Sequence, residues 1–207
     1  MDTAEGMISL CLAKIMKSTS SKNRRDRILH VALKLFHSKG YFKTSVHDIR
    51  EQADVSIGLI YRYFKNKEEI AQTLYQEITE DIFANIEKII AENANTHDRC
   101  RAIMAYYFQL TEDFPELVDF IIFARHKEIM PSAVSICAGK AMTRIRQAIQ
   151  EGIENGEIRP LALVVAGPSL FGGMTRLIQL RLIGMVQEPL PSLLDEMWES
   201  AWRAVKP

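Results

Sequence analysis

The stretch Asp54–Ile70, DVSIGLIYRYFKNKEEI, decides how the rest of the chain is read. Its middle, Ile57 to Phe64, has the length of two helical turns, yet bulky apolar or aromatic residues occupy almost its whole circumference. An ordinary surface helix keeps a polar face. Lys65-Asn66-Lys67 then breaks the pattern at once. Such a segment needs something apolar on one side and something other than bulk water on the other.

The residues just upstream supply the first partner. Thr44 or Ser45 is placed to N-cap a short helix with Val46, Ile49 and Ala53 on its inner face; Asp54-Val55-Ser56 makes a tight turn, and Ser56 caps the next helix. Two short helices joined by a turn of three to four residues, the second followed by a basic break, are the ingredients of a helix-turn-helix. In that arrangement Ile49 and Val55 pack inward, Ile60 and Phe64 share a face, and Gly58, Leu59 and Arg62 point outward. Helical angles alone leave Ile57, Tyr61 and Tyr63 on the flanks, either facing outward or half-buried in the core.

Working outward, residues 1–21 read as a mobile arm, with Ser, Thr and Lys crowded near its end, and residues 22–68 as the helix-turn-helix domain. The helix that opens this domain carries Ile28, Leu29, Ala32, Leu35 and Phe36 as one stripe and ends at Gly40, where a left-handed residue is cheap. Residues 69–207 form a larger second domain. Its first helix starts near Lys67 and runs about twenty-five residues with apolar steps of three and four. Further helical patterns cover Thr96–Glu112, Pro115–Glu128, Pro131–Asn155, Pro160–Val186 and Pro191–Val205, mostly with proline at or near the start, where its missing N–H costs nothing. Pro168 lies inside its pattern and is expected to kink or divide that helix. No alternating strand pattern is present. The expected fold is all-α, with about nine helices.

With 207 residues, 47% of them hydrophobic, the chain can build a sizeable core. No uninterrupted apolar run has the length of a membrane span, and Met7–Met16 lacks the features of an export signal, so no membrane partner and a cytoplasmic location are expected. Translation could start at Met1, Met7 or Met16. Cys11, Cys100 and Cys137 are widely separated, with no CxxC, and read as reduced thiols. The net charge of zero hides a split: Met1 to Lys67 holds 13 Lys+Arg against 6 Asp+Glu, a net of +7, and Glu68 to Pro207 holds 13 against 20, a net of −7. A basic first third suggests a polyanionic partner for that part alone. There is no metal-ligand spacing, no nucleophile–base pair and no phosphate loop, so no catalytic residue, metal or cofactor is expected.

The segments Thr44-Ser45-Val46-His47-Asp48-Ile49 and Val55 to Glu68 resemble the amino-terminal signature of the TetR family of bacterial repressors, over about Arg24 to Leu74. The resemblance implies a homodimer whose third helices enter successive major grooves of a double-stranded operator. Ser45, Ser56, Tyr61, Tyr63 and Lys67 would then hold phosphates, while His47, Ile57, Gly58 and Leu59 face base edges. Arg62 would reach a guanine or a phosphate. Lys22, Arg24, Arg25 and Arg27 would add salt-sensitive affinity. Two positions depart from the family pattern. Arg50 stands where a small residue is usual and is expected to snorkel outward; Asp54 stands where glycine usually takes the turn and is expected to adopt the left-handed region.

In the second domain, apolar and aromatic residues concentrate between Met104 and Met130. Met104, Tyr107, Phe108, Phe120 and Phe123, with Arg125 and His126, are candidates to line a pocket for a small apolar or amphipathic effector, against the plainer reading that the stripe is core. Glu112 or Asp113 could instead partner the two cations. Phe171, Leu177, Leu180, Met197, Trp198 and Trp202 are candidates for the dimer contact that the resemblance implies, with Gly172, Gly173 and Gly184 allowing close approach; the tryptophans fit an intrachain role equally well. The reading is a ligand-responsive, DNA-binding transcriptional regulator, a repressor. Its alternative is a helical small-molecule binding protein or enzyme with an incidental N-terminal domain.

Overall fold

The computed structural model describes residues 23–123 and 139–207. Among them the chain folds as α1 (Arg24–Ser38), α2 (Val46–Ala53), α3 (Ile57–Tyr63), α4 (Lys67–Glu92), α5 (Thr96–Asp113), α6 (Pro115–Ile122), α7 (Lys140–Glu154), α8 (Leu163–Leu182), a 3-10 turn (Leu190–Leu193) and α9 (Leu194–Arg203), without a strand. This is the all-α architecture that the apolar periodicity predicts.

Polar side chains set the early helix starts. Asn23, Ser45, Ser56 and Asn95 each accept a hydrogen bond from a backbone N–H two or three residues on, satisfying a donor that the first turn leaves orphaned. At α2 the bond is reciprocal, because Asp48 also accepts from the Ser45 backbone. Gly40, at φ 86°, follows the end of α1, and Asp54 takes up the left-handed conformation (φ 47°, ψ 58°) after α2. Both match the expectation from sequence.

Two compact units result. One comprises Met1–Ile82 with Glu116–Ile136, the other Phe83–Pro115 with Cys137–Pro207, so the division falls inside α4. In the first, Ile28, Leu29, Leu33 and Phe36 of α1 are buried with Ile49, Ala53, Ile60, Phe64, Ile70 and Leu74. The first half of α4 stays with this unit in part through Glu77, which accepts from Arg25 of α1. Phe120 of α6 stacks on Phe36 at 6.2 Å, and His37 meets Asp119 at 2.8 Å.

In the second unit, Ile103, Met104 and Phe108 of α5 are buried along with Ile145 and Ile149 of α7, and with Ala166, Leu170, Met174 and Ile178 of α8. A Cβ on Gly152 of α7 would lie 2.6 Å from Thr96, whose N–H and hydroxyl both donate to Glu157. Cys100 is buried and its thiol is pushed up to about 12 by that burial, an inert side chain. Cys11 and Cys137 lie outside the described residues.

Of the pattern drawn from Pro131, the described part is α7, from Lys140, and residues 124–138 lie outside the described residues. Two expectations need adjustment. Pro168 does not divide α8. It sits in the second turn, where the bond it cannot make would go to Val164, a residue 81% exposed. Finally, α8 is long and apolar enough to cross a membrane by length and composition, although no uninterrupted run suggested it. Its apolar character is divided between a buried stripe, Ala166, Leu170, Met174 and Ile178, and an exposed side bearing Val164 and Val165.

Candidate nucleic-acid interface

Seven residues are too few to hold a helix in water without tertiary support, so α3 is shaped by what it packs against. Ile60 and Phe64 are buried, and Ser56 accepts from Leu59 N–H at 3.2 Å. The structure settles the flanks that helical angles left open. Tyr61 and Tyr63 are 54% and 41% exposed, so neither is a core aromatic. Gly58 and Arg62 are exposed, and Ile57 and Leu59 are half-buried. On α2, His47 and the N-cap Ser45 are exposed.

Gly58 carries particular information. A Cβ built there would meet nothing within 4 Å, so no packing inside the chain demands glycine. Glycine within a helix nevertheless costs roughly 1 kcal/mol relative to alanine. The space above it is open to an approach from outside.

The turn ahead of α3 is held by one of the basic residues expected to add salt-sensitive affinity. Arg27 Nη2 donates to the Asp54 carbonyl at 3.1 Å and lies 3.3 Å from its carboxylate. Arg25 pairs with Glu77 and lies over the Phe64 ring. Both arginines therefore have partners within the folded chain; Arg24 is exposed, and Lys22 lies outside the described residues. Arg50 is half-exposed.

Lys67 also differs from the expectation of a phosphate-facing ammonium. Its Nζ donates to the carbonyls of Tyr41 and Thr44, each at 2.7 Å, and lies 4.1 Å from the centre of the Tyr41 ring. Burial holds this ammonium below its ordinary pKa, an effect that the Asp48 carboxylate opposes. The residue ties the start of α4 to the loop between α1 and α2. Asp48 is itself held well below the usual carboxylate range, first by a hydrogen bond from Lys39 and then by the Ser45 hydroxyl and N–H. A depressed folded value means that the α2 cap contributes its stability above the ordinary aspartate pKa and loses it as pH falls through the lower folded one. Sequence spacing gave no sign of the Arg27 and Lys67 contacts, because their partners are 23 to 27 residues away along the chain.

The candidate effector residues are distributed over both units. Met104, Tyr107 and Phe108 are buried in the second, and burial raises the Tyr107 phenol to about 12. Phe120 and Phe123 belong to the first, where Phe120 packs on Phe36. Arg125 and His126 lie outside the described residues. The carboxylates suggested as their partners have others: Glu112 accepts a bidentate pair of bonds from Arg181, plus the Leu190 N–H, and Asp113 accepts from Gln109.

Of the candidate dimer residues, three are engaged within the chain. The Trp198 indole donates to His97 Nε2 at 2.9 Å and stacks with Trp202 at 5.5 Å. Met197 fills the space at Gly173, where a Cβ would clash with its terminal methyl. For the tryptophans this is the intrachain alternative, and its cause is that α9 packs on α5 and α8. Phe171, Leu177 and Leu180 are half-buried on α8. Gly172 has open space beside it, and Gly184, at φ 75°, serves the turn after α8.

The Lys67 contacts generate a direct test. Lys67→Met keeps the aliphatic stem and removes the donors to two carbonyls, and is expected to lose about 1–3 kcal/mol of stability in urea unfolding. A variant as stable as the parent would show that the ammonium does not hold the loop.

Comparison with known proteins agrees with this geometry. The profile described as "Bacterial regulatory proteins, tetR family" matches residues 28–74, the segment from α1 into α4. An uncharacterized HTH-type transcriptional regulator, YhgD, of Bacillus subtilis (strain 168) is 31% identical over 150 residues, covering 68% of this chain and 74% of the relative. Two solved structures share the fold. The ketosteroid transcriptional regulator KstR2 of Mycobacterium tuberculosis has a TM-score of 0.75 at 19% identity, covering 91% of this chain and 97% of its own. The transcriptional regulator FadR of Bacillus subtilis, in complex with stearoyl-CoA, has a TM-score of 0.62 at 24% identity, covering 84% and 96%. With the profile seated on the two short helices and YhgD aligned across most of both chains, this protein belongs to the tetR family of bacterial regulatory proteins.

Proposed function

We propose that the chain represses transcription as a homodimer that reads operator DNA with α3 and lets go when a small apolar or amphipathic effector binds. The observation that carries the reading is the surface of α3: an open glycine flanked by exposed Tyr61, Arg62 and Tyr63 on a helix whose other side is buried. Isoleucine and leucine at 57 and 59 suit thymine methyls, and glycine at 58 admits the edge of a base pair. The tyrosine hydroxyls and Ser45 and Ser56 suit phosphates. His47, exposed beside the capping box of α2, suits a base edge on the same reading. Lys67 supports this surface through the loop it holds.

The second copy is assigned to the exposed side of α8. Four of the exposed large apolar side chains among the described residues, Val164, Val165, Ile183 and Met185, lie on α8 or just after it. Phe171 and Gly172 share a groove with Met142, Ile145 and Ile149 of α7. The two α3 helices of the dimer would read half-sites one DNA turn apart, roughly 34–36 Å. An effector shifts that spacing only as far as it binds one arrangement better than the other. Stearoyl-CoA in the FadR complex and the ketosteroid regulation named for KstR2 support an apolar effector class.

Two variants test the reading. Gly58→Ala is expected to stabilise the free protein by about 0.5–1 kcal/mol while weakening binding to DNA from its own upstream region on the order of tenfold, within the range of a single base contact. Unchanged DNA affinity would remove Gly58 from the interface. Val165→Arg is expected to convert the dimer to monomer in sedimentation velocity with little change in the unfolding of each chain; a persistent dimer would move the contact off this side of α8.

A further inference from the structure

The most exposed aromatic among the described residues is Phe42, at 65%, in the loop between α1 and α2. Among the described residues it belongs to no buried cluster. Burying such a ring ordinarily contributes about 1.5–3 kcal/mol, which a partner that covers it would gain.

The loop that carries it is tightly determined. Thr44 Oγ1 donates to the Gly40 carbonyl at 2.9 Å, and Thr44 N–H closes a turn onto the Tyr41 carbonyl at 3.2 Å. Lys67 clamps the carbonyls of Tyr41 and Thr44. The Tyr41 ring packs on Phe36 at 5.1 Å and meets Phe42 edge-on at 5.3 Å. The residues on either side of the Phe42-Lys43 pair are thus pinned, while the pair itself is exposed. Held in this way, the ring is presented rather than loose.

Its neighbours indicate what it meets. Lys43 is adjacent, and Ser45, the exposed N-cap of α2, follows two residues later. Lys67, which holds the loop, stands four positions past the end of α3. An aromatic ring beside an ammonium, next to a helix start read as a phosphate contact, matches the alternation of sugar and phosphate along a DNA strand.

We infer that Phe42 is a further DNA-contacting residue, packing its ring on a backbone deoxyribose while Lys43 neutralises the neighbouring phosphate. The inference rests on the reading of α2 and α3 as the operator interface. It adds affinity without sequence preference, because every nucleotide presents the same sugar. A ring on a sugar displaces no counterion, whereas a lysine on a phosphate does.

Fluorescence anisotropy of the full-length protein on upstream and on unrelated duplex DNA, across a potassium chloride series, separates these contributions. Phe42→Ala is expected to weaken both complexes on the order of tenfold, leaving the slope of log K against log salt and the Tm unchanged, while Phe42→Tyr retains parental affinity. Lys43→Ala is expected to reduce the slope by about 0.9. Phe42→Ala binding as tightly as a parent that itself binds DNA would overturn the inference and leave the operator reading standing. A loss accompanied by a lower Tm or by dissociation of the dimer would assign the ring to the fold or to the second copy, and would also overturn it. A parent that binds neither duplex would instead refute the operator reading itself.

Discussion

Helix α3, the proposed reading helix, is too short to form alone, and the proposed interface depends on the burial that forces it into shape. Ile60 and Phe64 supply that burial. At about 1.5–3 kcal/mol for each fully buried large apolar side chain, the pair outweighs the roughly 1 kcal/mol that Gly58 costs the helix. The chain therefore accommodates an unfavourable residue at the centre of its outward side. Polar clamps then fix where the helix begins and what lies beside it: Ser56 caps it, Arg27 holds the turn before it, and Lys67 fastens the segment after it to the α1–α2 loop.

Asp54 shows how these levels interlock. A left-handed non-glycine residue is costly, though least so for Asn and Asp. Here the conformation lets the backbone reverse between α2 and α3, and it sets the Asp54 carbonyl and carboxylate against the Arg27 guanidinium. The same side chain that makes the turn less favourable than glycine would thus gains a partner that glycine lacks.

Local physics was legible in the sequence, and distant partnership was not. Helix starts at Ser45 and Ser56, the stop at Gly40 and the inward set Ile49, Ile60 and Phe64 follow from capping and periodicity, which act over a few residues. The exposure of Tyr61 and Tyr63 needed the third dimension, because helical angles put them on the boundary between core and groove. Arg27 and Lys67 looked like free cations because their carbonyl partners are remote in the chain. In the second unit the tryptophans carried the composition of an interface anchor, yet Trp198 is satisfied by His97 and Trp202 stacks upon it. The outward side of α8 was hidden in a sequence of nearly uniform hydrophobicity, where only tertiary packing separates the stripe of Ala166, Leu170, Met174 and Ile178 from the face it leaves open.

The proposed twofold molecule, with a reading helix on each arm, would leave its symmetry in the DNA it selects. Selection of bound duplexes from a fully randomised library by the purified protein, followed by sequencing, examines this with no assumption about the operator. The expected result is an enriched inverted repeat whose half-sites are centred about one helical turn, roughly 10 base pairs, or a multiple of it apart. A bound pool no different from the starting library would contradict the account.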